Sequence, residues 1–366
     1  MLDMKYIFMF LLVFAIACSK PEAVEPANKH AILVYMVAEN SLNVYCEENI
    51  RAINDGVKLS KAEYNSVYIY YDKRNSEPRL IKFYKRKGTV RCDTIVKYSE
   101  TNSASAEQLS KVINDAFVND KYDSYGLILW SHATGWLPPN FLDSKTVTTQ
   151  SFGLDNGNEM DIKYLTAALP DSFFEYIIFD ACNMGAVEVA CQLRNKTKFI
   201  LSATTEIAAA GLPYNEIIPM LLLKNRNYRN IAQECYDYYE NTLETGVAFS
   251  LGATAEIENL AKTVKDIYSN ATNTTVNINN IQHFDRYFPN SHLLYDLEDI
   301  IKNIASPEEL TIFQDRLNRI VIFSQSPPIV YRVLINTYCG LSSYIYGINP
   351  TLDNYYKTLD WFLLTN

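Results

Sequence analysis

The chain has 366 residues, 48% of them hydrophobic and 20% charged, enough to bury a sizeable core as one large domain or two smaller ones. A formal net charge of −9 offers no basic field to a phosphate backbone and argues against nucleic acid as the main partner, while an aromatic content of 13% argues against disorder.

At the N-terminus Lys5 precedes an apolar run, residues 6–16, that closes on Ala15-Ile16-Ala17-Cys18, with small residues where a signal peptidase reads. The run is too short to cross a bilayer. Its ending resembles a bacterial lipobox, with Met4 the better start. This reading makes residues 1–17 a lipoprotein signal peptide, Cys18 the lipidated residue, and 18–29 a polar tether that anchors the protein in the bacterial cell envelope. An ordinary cleaved signal peptide or a buried strand is the alternative. The remaining cysteines, at 46, 92, 182, 191, 235 and 339, contain no C-x-x-C pair, so neither a zinc site nor a disulfide framework is supported.

From residue 30 strand and helix signals alternate. Residues 31–37 read as a buried strand, 42–59 as a helix and 67–71 as a strand; 79–84 and 89–96 form a hairpin about Lys87-Gly88. A helix over 105–118 opens with Ser105 and Gln108 spaced as a capping box, and the strand 126–130 runs straight into Ser131-His132-Ala133. The polar, Pro-containing stretch 137–152 reads as an exposed loop. Helix 160–168, strand 176–179, helix 184–193 and strand 199–203 follow. Such alternation predicts an α/β fold, a largely parallel sheet with helices on both faces, whose ligands bind beyond the carboxyl ends of the strands. Past residue 219 the texture changes: helix 228–243, strand 249–253, helix 259–268, an Asn/Thr-rich loop 269–280, then helices and at least one hairpin. The expected division is a core over 30–220 and a C-terminal α+β subdomain over 221–366 that offers no site of its own.

Two strand ends carry chemistry. His132 ends one strand and Cys182 another, fifty residues later, close to the spacing of the two catalytic residues in caspases. A helix starting near Asn183 or Met184 would lower the Cys182 pKa, and His132 would move protons for it. The backbone N–H groups of Cys182 and Ala133 could face an oxyanion. Taken singly, each residue has an ordinary structural reading, a buried thiol or a hydrogen-bonded histidine. Cys191 and Cys235 fall on apolar helical stripes and read as core. His30, His283 and His292 have no acidic or cysteine neighbours at metal-ligand spacing, so no metal is expected.

The segments Leu33-Val34-Tyr35-Met36-Val37-Ala38-Glu39-Asn40-Ser41-Leu42, Leu127-Ile128-Leu129-Trp130-Ser131-His132 and above all Asp180-Ala181-Cys182-Asn183-Met184-Gly185 resemble the clostripain family of cysteine peptidases, as do Cys339-Gly340-Leu341-Ser342 and the stretch 355–361. The resemblance implies a caspase-like fold, Cys182 as nucleophile, His132 as its partner in a dyad, and Asp180 in the first specificity pocket. Asp180 shares a strand face with Cys182, and a carboxylate there would pair with a substrate arginine; capping of the next helix is its other reading. Glu206 is the remaining acid near that pocket. Two departures stand out: Ala133-Thr134 replaces the family's Gly-Gly, which could narrow the oxyanion site or forbid a glycine conformation, and Glu206 lies alone in its loop. Lys145 is an autoprocessing candidate, or else a plain surface lysine.

The resulting expectation is a lipid-anchored endopeptidase that cuts after Arg or Lys through a thioacyl intermediate, acts on peptide or protein substrates and uses no cofactor. Calcium dependence stays open, since no D-x-D-x-D-G loop is present. The rivals are a catalytically impaired cell-envelope binding protein on the same fold, and an amidase or acyltransferase using the same dyad.

Overall fold

In the computed structural model, residues 29–141, 152–271, 276–286 and 292–366 are described. Strands β1 (His30–Ala38), β2 (Ser66–Lys73), β3 (Arg79–Arg86), β4 (Thr89–Lys97) and β5 (Ser124–Trp130) precede a two-stranded excursion, β6 (Phe152–Asp155) and β7 (Asn158–Met160). They are followed by β8 (Phe174–Asp180), β9 (Thr197–Ala203), β10 (Phe249–Ala253), the short β11 (Tyr295–Asp296) and β12 (Val321–Gln325). Nine of these form one sheet in the order β12-β10-β9-β8-β5-β1-β2-β3-β4. The five central strands, β9 to β2, are parallel and both edges are antiparallel. The sheet therefore runs across residue 220, since β10 and β12 extend it.

Every residue of β1 is buried, and its side chains alternate between two layers. Leu33, Tyr35 and Val37 face one core with α2 (Ala106–Phe117), α3 (Ile162–Ala168) and α4 (Val187–Gln192). Ile32, Val34 and Met36 face the other with α1 (Asn43–Leu59), α5 (Tyr214–Leu221) and α6 (Tyr228–Asn241). Helix α7 (Ile257–Asn270) and the C-terminal residues, Trp361 among them, complete the first layer. Glu188 of α4 ties that part down: its fully buried carboxylate accepts from Ser343 Oγ, Tyr344 N and the Tyr356 hydroxyl at 2.9–3.0 Å.

Three local expectations change. Ser105 caps α2 by accepting from Gln108 N at 3.2 Å, but the Gln108 side chain turns to the Tyr70 hydroxyl at 3.3 Å, so the capping box is half made. The stretch expected as a loop up to 152 ends in β6, because Phe152 is buried beside Ala133 and Phe179. The helix expected from 184 starts at Val187, for reasons that bear on the site.

Candidate active site

Strands β5 and β8 are parallel neighbours with Trp130 opposite Asp180, so His132 and Cys182, each two residues farther on, leave the same end of the sheet side by side. Ser131 N donates to the Asp180 carbonyl at 3.3 Å. The two turns are in contact: Gly135 has φ +75°, and a Cβ there would lie 2.7 Å from the Asn183 carbonyl oxygen, so only glycine fits.

The cysteine turn is built by its neighbours. Asn183 takes a left-handed φ of 59°, which asparagine tolerates, and its N–H donates to Thr205 O at 2.9 Å. Gly185 lies against Thr204 so closely that any side chain would overlap it. The left-handed residue breaks the helical run, and α4 begins five residues past the cysteine with no side-chain cap. The expected helix start directly after Cys182 is therefore absent from the described residues. The half-buried residue turns its Sγ toward Ile207, whose N–H donates to it at 3.4 Å. Burial pushes the thiol up to about 12; the Ile207 N–H opposes this, and the Glu206 and Asp180 charges add to it. In this state the cysteine is a neutral thiol, contrary to the lowered pKa expected.

Burial also lowers His132 to about 4, leaving a neutral imidazole at pH 7. Its Nε2 lies 2.8 Å from Ser41 Oγ. Ser41 sits in the β1–α1 turn, which Asn40 shapes by donating to Val37 O and Leu154 O (2.9 and 2.7 Å) and accepting from Leu42 N (2.8 Å). Sequence reasoning gave Ser41 no role; its signal was a serine just past the strand that neighbours the His132 strand.

Ala133 has no positive φ, nor does Thr134, and the Ala133 methyl is part of the core. The conformational reason for a glycine at either position is removed. Among the described residues no acceptor takes the backbone N–H of Ala133 or Cys182.

Asp180 points to the α5 side of the sheet, 3% exposed, where Oδ2 accepts from the Tyr214 hydroxyl at 2.7 Å and Leu212 N at 3.1 Å. It does not cap α4. Burial raises its carboxyl to about 7 against the lowering effect of these two donors. Gly211, at φ +82°, forms the wall: a Cβ would come 2.8 Å from Asp180 Oδ2 and 2.6 Å from Asn49 Oδ1. Glu206 is paired inside the chain, both carboxylate oxygens accepting from Arg286 Nε and a terminal nitrogen at 2.6 and 2.7 Å. Lys145 and Cys18 lie outside the described residues.

Among the described residues, two groups have the donors for a metal. Glu39, Asp72 and Asp155 bring carboxylate oxygens within 4.8 Å of one another, and one oxygen each of Asp72 and Asp155 is buried with no donor, a set suited to a hard cation such as calcium. Asp72 is raised to about 7, by burial first and then by the neighbouring acids. His283, Asp285 and His292 also converge within 4.8 Å, so the absence of an acidic neighbour inferred for these histidines is corrected. His30 is structural, its ring nitrogens on Ser124 Oγ (2.8 Å) and the Tyr176 hydroxyl (3.0 Å).

The family model described as the clostripain family, Peptidase_C11, matches residues 34–361. No curated protein matches the chain. An inactive zymogen C11 protease from Parabacteroides distasonis is 31% identical over 93% of this chain and 99% of its own, with a TM-score of 0.83. A secreted C11 cysteine protease from Bacteroides thetaiotaomicron, in complex with an irreversible peptide inhibitor, is 27% identical over 92% and 99%, with a TM-score of 0.80. A clostripain from Bacteroides thetaiotaomicron, in complex with the peptide inhibitor BTN-VLTK-AOMK, is 27% identical over 58% of this chain and 97% of its own, with a TM-score of 0.51.

Proposed function

The chain belongs to the clostripain family of cysteine peptidases, and we propose that it hydrolyses peptide bonds after a basic residue with Cys182 as nucleophile and His132 as its proton carrier. The observation that carries this reading is the β5–β8 register, which sets the two turns against each other at the carboxyl end of the sheet. In the reaction the thiol proton passes to His132 as sulfur bonds to the substrate carbonyl. The oxyanion takes the N–H groups of Ala133 and Cys182, His132 returns the proton to the departing amine, and water releases the acid from the thioester. No cofactor enters these steps; where calcium is bound, Glu39, Asp72 and Asp155 would hold it. A substrate cation pairs with Asp180, whose Oδ1 takes no donor among the described residues. The lysine that ends VLTK in the relative's inhibitor supports a basic preference.

Burial raises the Cys182 thiol to about 12 and lowers the His132 imidazole to about 4, so both are neutral at pH 7; we take this as the resting state of a latent enzyme, a reading supported by the similarity to a protein described as an inactive zymogen. Cleavage at Lys145 is the proposed activating event. Cys18 carries the lipid that holds the mature chain on the cell envelope; a secreted relative supports export, and among the described residues no helix is long and apolar enough to cross a membrane.

The test is covalent labelling by an arginyl or lysyl acyloxymethyl ketone. Chain cut at Lys145 should be labelled at Cys182, uncut Lys145→Ala protein far more slowly, and Cys182→Ala not at all. A folded, cut wild type that stays unlabelled would overturn the proposal.

A further inference from the structure

We propose that His283, Asp285 and His292 form a binding site for a borderline divalent transition-metal ion of the zinc, nickel or cobalt class, outside the Cys182–His132 pair. One nitrogen of each histidine and one carboxylate oxygen of Asp285 lie within 4.8 Å of one another. Two imidazoles with one carboxylate and no thiolate suit such ions.

The carboxylate is placed before any ion arrives. Asp285 is 3% exposed, and its oxygens accept from Leu293 N at 3.1 Å and Leu294 N at 3.3 Å, bonds that leave lone pairs on both. Its Oδ1 stands 3.6 Å from His292 Nδ1, too far for a hydrogen bond. Two ligands on opposite corners of a tetrahedral ion with bonds of about 2.0–2.1 Å would be roughly 3.4 Å apart. His292 Nδ1 is itself buried without a hydrogen-bond partner, an orphan that an ion would satisfy.

His283 supplies the complement. Its Nδ1 lies 3.1 Å from the Asp285 carbonyl oxygen, so Nδ1 carries the hydrogen and Nε2 the free lone pair, the orientation given to a metal-ligating histidine by a carbonyl behind it. The two rings now stack at 3.3 Å between centroids and 10° between planes. Binding splays them at one edge so that both nitrogens meet the ion. A cavity of about 650 Å³, bordered also by Gln282, Asn336 and Thr337, gives the ion a way in and water the fourth position. Arg286, Arg332 and Asp299 border the same cavity.

The position has a consequence for the peptidase. His283 and Asp285 precede Arg286 in the chain and His292 follows it, so a bound ion restrains the arginine that holds Glu206 beside the Cys182 turn.

The experiment titrates cobalt(II) into the full, untagged chain carrying Cys182→Ala, which removes the dyad thiol as a competing ligand. One equivalent should bind with a visible d–d band and without the near-ultraviolet charge-transfer band of a thiolate, and zinc should displace it and raise the melting temperature. Adding His292→Ala should weaken cobalt binding at least about tenfold, the loss expected of one ligand, and abolish the thermal shift. His283→Gln serves as the second variant, with far-ultraviolet circular dichroism of both metal-free variants matched to the parent. Equal affinity in parent and variants, a thiolate band, or no binding at millimolar cobalt would each overturn the proposal.

Discussion

Replacing Asp180 by asparagine separates charge from shape. The amide keeps an acceptor for the Tyr214 hydroxyl and Leu212 N but loses the charge that a substrate guanidinium would meet. A hydrogen bond to a charged group contributes about 1.5–3 kcal/mol, or roughly 10- to 150-fold in kcat/KM. The assay compares arginyl with citrullinyl substrates, which are similar in shape and differ in charge. Asp180→Asn should cut the arginyl value by that factor and the citrullinyl value by less than about threefold. The pH profile adds a sign. With its carboxyl raised from 3.8 to about 7, free Asp180 is neutral below pH 7, so the arginyl-to-citrullinyl ratio should climb as pH rises through 7. Taking the ratio cancels the titrations of Cys182 and His132, and the variant should show no climb. The same raised pKa costs the ionised folded state on the order of 4 kcal/mol, a stability present below pH 4 and lost as pH rises through 7. Wild type should therefore lose stability relative to Asp180→Asn over that window. Equal losses on both substrates, or a ratio flat with pH, would refute the pocket role.

Gly211→Ala forces a Cβ to 2.8 Å from Asp180 Oδ2 at a φ of +82°, and should destabilise the fold by about 1–3 kcal/mol while lowering arginyl kcat/KM more than citrullinyl; denaturant melts and the same substrate pair check it. Ser41→Ala removes the partner of His132 Nε2 and should lower kcat about 3- to 10-fold with KM unchanged, the scale of one neutral hydrogen bond. Arg286→Ala removes the positive charge that pulls the Cys182 thiol down and leaves the Glu206 charge beside it unpaired, and should lower arginyl kcat/KM by up to about fivefold with little change in melting temperature, because a part-exposed pair is worth about 0–1 kcal/mol.

The central sheet was legible because its strands are apolar runs whose two faces are both buried, and the length of each run set it apart from the amphipathic helices between. What escaped depended on distant contacts. Strands β6 and β7 are four and three residues long, too short to show a period. That β10 and β12 extend the same sheet is a pairing across more than forty residues, invisible to local pattern. Cys182 and His132 were legible because each follows a strand whose end is marked by turn residues. Apolar spacing alone carried the expected helix back to Met184, whereas the left-handed Asn183 and the tight approach of Gly185 to Thr204 delay it to Val187. Glu206 was visible as an acid, but its pairing with Arg286, eighty residues away, was not. The acids Glu39, Asp72 and Asp155 likewise come from separate strand ends and leave no motif.

That delayed helix changes what must ionise the thiol. With α4 starting only at Val187, Cys182 is held up first by burial and then by the negative charges of Glu206 and Asp180, while the positive charge of Arg286 pulls it down. A cationic side chain seated on Asp180 would cancel one of the charges that oppose the thiolate. Charge selection then assists nucleophile ionisation: a basic substrate removes one of the smaller contributions that hold the thiol protonated, and a neutral substrate leaves it in place. The specificity of such a site would appear in kcat as well as in KM, because the group that recognises the substrate also helps to charge the sulfur that attacks it.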